Sequence, residues 1–126
     1  MHIKLENDNG VPIYMQIIAQ VKRQAAAGLL RPGDQLPPVR ELALQLRINP
    51  NTVARAYRDL RQEGMIDSRW GDGNFISAEA VAISATEKRR IVAGAVEDAI
   101  KLAAEMGLDG KETAALFADY IDKHFG

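Results

Sequence analysis

The chain has 126 residues, which fits one compact domain or a small domain with an appendage. It has no cysteine, which excludes a disulfide framework, a thiolate metal site and a cysteine nucleophile. Its two histidines, His2 and His124, lie near opposite ends, so we predict no metal site and no cofactor. The net charge is −1. This charge is uneven, because five arginines and two acidic residues lie between Val39 and Arg61, whereas acidic residues outnumber basic ones by two from Val81 onward.

The N-terminal residues lack the basic segment and apolar run of a signal peptide. No stretch approaches the roughly 18 apolar residues that a membrane span needs. We therefore expect a cytoplasmic protein that has no membrane partner.

Residues 1–12 are predicted to be extended and to end in a turn. From Ile13 the apolar residues recur with helical spacing, and Gly28 stands where a helix C-cap is preferred. The segment 29–38 contains a Pro-Gly turn and a double proline, which blocks a helix until Val39. A short helix is predicted from there to about Leu46.

Asn49 is a suitable N-cap and Pro50 suits the first position of a third helix, which is predicted to end near Glu63. The segments 65–70 and 75–77 then read as two strands joined by a glycine-rich turn, which predicts a small hairpin.

The segment 78–86 has the composition of a linker. A long helix is predicted from about Ala85 to Met106, followed by a turn around Asp109 and a last helix with an apolar face. The predicted fold is therefore mainly α with a small β-hairpin. We expect an N-terminal winged helix-turn-helix domain over residues 1–78 and a C-terminal two-helix dimerisation segment over residues 79–126.

Three stretches carry a resemblance to a known family. They are residues 30–43 (LRPGDQLPPVRELA), residues 51–60 (NTVARAYRDL) ahead of Glu63-Gly64, and residues 71–76 (GDGNFI). Together they closely resemble the signature of the GntR family of transcription regulators. The form of residues 49–53 and the short C-terminal tail look like the YtrA subfamily, whose tail forms two helices used for dimerisation.

The resemblance implies that the chain binds double-stranded operator DNA. Helix N-termini, hydroxyls and arginines suit phosphate contacts, and asparagine and arginine can read base edges in the major groove. By resemblance, Arg40 matches the arginine that contacts DNA in the family. The candidate DNA-binding residues are Arg40, Asn49, Asn51, Thr52, Arg55, Arg58, Arg69 and Gly73.

Contact between the wing and DNA is left open. The family commonly has a basic residue between the two glycines of the wing turn, whereas this chain has Asp72, which would repel phosphate. Arg69 or Asn74 is the alternative source of a contact. Tyr57 is expected in the core, Trp70 in packing, and Arg61 in a structural or solvated position.

The C-terminal helices carry apolar stripes that two helices alone cannot bury, which predicts a homodimer. The candidate dimerisation residues are Val92, Val96, Ala99, Leu102, Ala103, Phe117, Tyr120 and Ile121. A two-fold dimer would also match a palindromic operator. The sequence leaves room for a small-molecule effector and identifies none.

The predicted function is therefore sequence-specific transcription regulation, with repression favoured. No nucleophile elbow, phosphate loop or metal-ligand spacing is found, so we do not expect an enzyme. A second hypothesis is a GntR-type head that belongs to an aminotransferase fusion. The chain as given has no aminotransferase segment and would do no such chemistry, whereas a longer gene product would revive this hypothesis. The remaining alternative is a protein-interaction module that has kept the winged-helix fold and lost DNA binding.

Overall fold

Helices dominate the computed structural model, which describes residues 1–68 and 73–126. The described elements are α1 (Ile13–Ala26), α2 (Val39–Leu46), α3 (Pro50–Gln62), β1 (Ile66–Ser68), β2 (Asn74–Ile76), α4 (Ala80–Glu105) and α5 (Gly110–Phe125). This confirms the predicted fold class of a mainly α protein with a small hairpin. The chain separates into two compact units, which we call the head (Met1–Lys88) and the tail (Arg89–Gly126).

The head is built around the apolar face of α3. Val53, Ala56, Tyr57 and Leu60 follow one another at helical spacing, and each has no exposed surface. This face packs against α1, through Ile17 among others, and against α2. Fully burying an aliphatic or aromatic side chain contributes about 1.5 to 3 kcal/mol, so this helix is held mainly by its inner face.

The turn between α2 and α3 closes both helices. At the end of α2, the amide of Ile48 donates to the carbonyl of Ala43 at 3.0 Å and that of Arg47 donates to Leu44 at 3.3 Å. At the start of α3, the Asn49 side chain accepts from the amide of Asn51 at 2.8 Å, which confirms the predicted N-cap. The turn thereby fixes where the first residues of α3 lie.

The hairpin pairs Ile66 with Ile76 and Ser68 with Asn74 in antiparallel register. A third segment lies along β2, where the amide of Leu36 donates to the carbonyl of Asn74 and the amide of Ile76 donates to the carbonyl of Asp34, each at 2.8 Å. The sequence predicted only a turn and a proline block in this region. The pairing was missed because it joins residues that are about forty positions apart.

The extended N-terminal segment lies along α1 and is held by three glutamines spaced four residues apart. Gln16 both accepts from the amide of Glu6 and donates to its carbonyl, and Gln20 does the same for Lys4. Gln24 donates to the carbonyl of His2. The side-chain amides thus satisfy backbone groups that a neighbouring strand would otherwise bind.

The helix α4 begins at Ala80, whereas the sequence predicted a linker over 78–86 and a helix from about Ala85. The linker interpretation of residues 80–86 was therefore wrong. Ala80 is buried and Ile83 packs against the head core. Burial therefore favours the helix in a segment whose composition suggested a loop.

The tail contains the remainder of α4, a turn, and α5. Asp109 caps α5 in a reciprocal pair of hydrogen bonds with Glu112, so the turn has a defined geometry. Ala103 and Thr113 are its buried residues. None of the helices in the described ranges combines the length and the apolar character that a bilayer span requires.

Candidate nucleic-acid interface

The outer face of α3 carries three polar residues in one row. Asn51, Arg55 and Arg58 follow at intervals of four and three residues, and all three are exposed. At about 100° per residue they lie opposite the buried face of the helix. The structure thus brings these three candidate residues together on a surface that faces away from the core.

The guanidinium of Arg55 is held by the first helix. It lies 3.8 Å from the centroid of the Tyr14 ring, and Nη2 donates to the Tyr14 hydroxyl at 3.1 Å. A cation stacked on an aromatic face gains about 0.5 to 1 kcal/mol at an exposed site. The side chain of Arg55 is therefore partly ordered before any ligand binds.

The other two arginines of α3 differ in their surroundings. Arg58 is exposed, and its Nε lies 3.9 Å from Oδ1 of Asp59, which leaves a loose ion pair. Arg61 instead donates to the Asn74 side chain at 2.9 Å and so links α3 to β2. This bond agrees with the structural role expected for Arg61. It also occupies the side-chain oxygen of Asn74, the residue named as an alternative source of a wing contact.

The first turn of α3 holds the remaining small polar candidates. Asn49 is exposed, and because its Oδ1 is used in the cap, its side-chain amide nitrogen is the group left to donate. Thr52 is half-buried beside Asn51. Residues at this end of the second helix of a helix-turn-helix are placed to contact DNA.

Arg40 is exposed in the first turn of α2, and Tyr57 fixes where that turn begins. The buried Tyr57 hydroxyl donates to the carbonyl of Pro37 at 2.7 Å. Burial raises the pKa of Tyr57, and the nearby Glu41 carboxylate raises it further, so the hydroxyl keeps its proton. This confirms the expectation that Tyr57 belongs to the core.

Part of the wing lies outside the described residues, including the candidate Arg69 as well as Trp70 and Asp72. Gly73 is described and has a φ of +121°, which L side chains rarely adopt. A β-carbon at this position would also lie 3.0 Å from Nε2 of Gln35. The backbone conformation therefore favours glycine here, and a β-carbon would also displace the Gln35 side chain.

The candidate dimerisation residues line the apolar surface of the tail. Leu102, Tyr120 and Ile121 are 58%, 53% and 54% exposed, and Val92 is 57% exposed. Ala99, Leu102, Ala103, Phe117 and Tyr120 border one cavity of about 380 Å³ between α4 and α5. Ala103 differs from the others because it is buried between the two helices.

Two residues with functional potential were not among the candidates. One is Tyr14, whose contact with Arg55 joins residues 41 positions apart. The other is Arg47, whose left-handed backbone makes it unusual. A short-range sequence pattern contains no signal for the contact of Tyr14. The Asn-Pro turn that follows Arg47 indicates a break between helices and does not indicate the left-handed backbone.

The model for bacterial regulatory proteins of the gntR family matches residues 13–76, slightly more than half of the chain. The HTH-type transcriptional repressor YtrA of Bacillus subtilis (strain 168) is 46% identical over 78 residues. That alignment covers 62% of this chain and 60% of the repressor, which is less than two thirds of the repressor's length.

Solved structures extend the similarity to the tail. A transcriptional regulator from Oenococcus oeni superposes with a TM-score of 0.77 and 32% identity, covering 96% of this chain and 97% of that one. The DNA-binding domain of AraR, solved in complex with operator ORE1, has a TM-score of 0.51 and 25% identity, covering 61% of this chain and 94% of that domain.

The winged helix-turn-helix and the family match place the chain among the DNA-binding transcription regulators. The chain is a member of the gntR family of bacterial regulatory proteins, as its sequence motifs predicted. Its similarity to a YtrA repressor agrees with the predicted subfamily.

Proposed function

We propose that this chain is a cytoplasmic repressor that binds a palindromic operator as a homodimer. The observation that carries the proposal is the row of Asn51, Arg55 and Arg58 on the outer face of α3. Arginine can bind guanine, and asparagine adenine, through paired hydrogen bonds in the major groove. The helix would read bases with this row.

Arg40, Asn49 and Thr52 would bind the phosphates on either side of the groove. All three lie in or beside the first turns of α2 and α3, where exposed donors and helix N-termini favour anions. Phosphate contacts supply affinity that is independent of sequence, and the base contacts supply the preference. Arg69 and Gly73 would extend this contact from the wing.

Tyr14 would lower the cost of ordering Arg55. Fixing a long side chain on binding costs about 0.5 to 1.5 kcal/mol. Because Arg55 already stacks on Tyr14, part of that cost is met in the free protein. The recognition surface would therefore be largely preorganised.

The apolar surface of the tail would be covered by a second copy of the chain. Large apolar side chains on both α4 and α5 stay about half exposed within one chain. A contiguous surface of this kind is unusual on a protein that acts alone. A two-fold dimer would also present two heads at a separation of about 34 to 36 Å, or a multiple of it.

The proposal is tested by selecting bound duplexes from random DNA and measuring affinity for the enriched sequence by fluorescence anisotropy. We expect an inverted repeat. Arg55→Ala should weaken binding about tenfold to a hundredfold and relax the preference at one base pair in each half-site. The matched control is Arg23→Ala, which removes the same charge from the exposed end of α1.

Unchanged affinity in a folded Arg55→Ala protein would remove Arg55 from the contact set. If the unmodified protein enriches no duplex, the alternative of an interaction module that has lost DNA binding would be favoured. Enrichment of single half-sites would instead contradict the dimeric part of the proposal.

A further inference from the structure

Arg47 occupies a backbone conformation that favours glycine. Its φ is 57° and its ψ is 47°, and it is the one residue other than glycine with positive φ in the described ranges. The position is the first residue beyond α2, where the hydrogen bonds from Ile48 and Arg47 to the end of the helix form a Schellman-type turn. Glycine is preferred at such positions because a β-carbon crowds the backbone.

The side chain of Arg47 gains little within the head. It is exposed, and no hydrogen bond or ion pair to it accompanies the strained backbone in the described part of the chain. The turn explains the backbone conformation but not the arginine, and a side chain kept at a strained position without a hydrogen bond or ion pair among the described residues of the head is a candidate for a functional role. The surroundings of the side chain indicate which role.

Arg47 and Arg40 border the same concavity, which has a volume of about 560 Å³. Its remaining lining is apolar apart from backbone: Ala43, Leu44, Ile48 and Pro50. The acidic residue of α2, Glu41, is not part of the lining and accepts from the Gln45 side chain at 3.3 Å. Two arginines therefore border this concavity without a carboxylate in its lining.

The concavity adjoins the reading end of α3. Pro50 is the first residue of that helix, so the two arginines lie next to the turn whose residues would meet DNA. A phosphodiester oxygen accepts well from the planar fork of a guanidinium.

We propose that Arg47 binds a backbone phosphate of the operator together with Arg40. This inference rests on the proposed operator binding, and it adds a residue that carries affinity without sequence preference. It also accounts for an arginine at a position where the backbone favours glycine.

The test uses the full chain and a fluorescent duplex of about 30 base pairs, or roughly three helical turns, that carries the selected sequence. A scrambled duplex of the same length serves as a second probe. Affinity is measured over a series of salt concentrations for the unmodified protein and for Arg47→Gly. Because the variant removes the backbone strain, we expect its thermal midpoint to be equal to or above that of the unmodified protein.

Binding of Arg47→Gly should be about threefold to tenfold weaker on both duplexes. The slope of log K against log salt should also become shallower by about one unit for each head that contacts DNA. Arg47→Asn, whose side chain tolerates the left-handed region, should behave in the same way. Arg47→Lys keeps the charge and should keep the slope.

Gain of thermal stability with loss of affinity would support the proposal, because unfolding cannot explain that combination. Unchanged affinity and slope in both Arg47→Gly and Arg47→Asn, with Arg55→Ala still impaired, would overturn it and leave operator binding intact. Failure of the unmodified protein to bind either duplex would overturn operator binding itself, and this inference with it.

Discussion

The head and the tail differ in how far their large apolar side chains are buried. In the head, Ile17, Leu60 and Met65 have no exposed surface, and each helix buries one face against the others. In the tail, Val92 and Leu102 are 57% and 58% exposed although they lie in a long and regular helix. The comparison indicates that the head can be stabilised within one chain, whereas the tail needs a second surface to gain comparable burial.

The largest expected effect comes from placing a charge in the proposed dimer surface. Leu102→Asp should raise the dimer dissociation constant at least about a hundredfold, because a carboxylate would be buried there without a partner. Sedimentation equilibrium over a range of protein concentrations measures this change.

The matched control is Lys101→Asp, which introduces the same side chain at the neighbouring exposed position. At about 100° per residue it points roughly opposite to the apolar stripe and should leave the dimer intact. A Leu102→Asp protein that assembles like the unmodified chain would break the comparison, since the exposed face of the tail would then need another explanation.

A smaller effect is expected where the head buries a polar group. Tyr57→Phe removes the hydrogen bond to the carbonyl of Pro37 and should lower the free energy of unfolding by about 1 to 2 kcal/mol at neutral pH. Urea titration measures the loss. Tyr120→Phe in the Leu102→Asp background, where the surface of the tail should stay half-exposed, is the corresponding control and should change stability by less than about 0.5 kcal/mol.

The same variant has a predictable pH dependence. Burial raises the pKa of Tyr57 above its usual value of about 10, so above pH 10 the unfolded chain loses this proton while the folded chain keeps it. The contribution of the Tyr57 hydroxyl to the free energy of unfolding is therefore fully present below pH 10 and falls as the pH rises further. The difference in the free energy of unfolding between the unmodified protein and Tyr57→Phe should narrow above pH 10. A constant difference would contradict the raised pKa of Tyr57.

The smallest expected effects come from two lysines, one in each unit. Lys22 is 13% exposed and pairs with Glu63 at 2.7 Å and with Glu87 at 3.7 Å, so Lys22→Met should cost about 1 kcal/mol. Lys101 and its partner Glu97 are both 67% exposed, and Lys101→Met should cost less than about 0.5 kcal/mol. Thermal unfolding at low and high salt measures the loss of stability in both variants. Equal losses would show that burial does not strengthen the ion pairs of Lys22 relative to that of Lys101.

The bounds of α3 could be predicted because several local signals agree. Asn49 caps the helix, Pro50 suits its first position, and the apolar period of 3.6 continues until Gly64. The same period predicts which side chains point outward, so the row on the outer face of α3 followed from the sequence. Both results depend on interactions within one helix.

What could not be predicted depends on contacts between distant residues. The start of α4 was missed because Ala80 and Ile83 gain their burial from the head core, which the composition of residues 78–86 does not reveal. The stacking of Arg55 on Tyr14 requires the packing of α1 against α3. The backbone of Arg47 follows from closing α2 and starting α3 within three residues, which a local pattern describes only as a break.

The three glutamines of α1 match the repeat distance of the helix to that of the extended N-terminal segment. Four residues advance a helix by about 6.0 Å, and two residues advance an extended chain by about 6.6 Å, so the steps of Gln16, Gln20 and Gln24 match those of Glu6, Lys4 and His2. This commensurate spacing sets which residues of the extended segment face inward. Inserting a single residue between Lys4 and Glu6 would shift by one position the alternation of inward-facing and outward-facing residues. If Gln16 and Gln20 kept their contacts with the extended backbone, Ile3 could then no longer be buried.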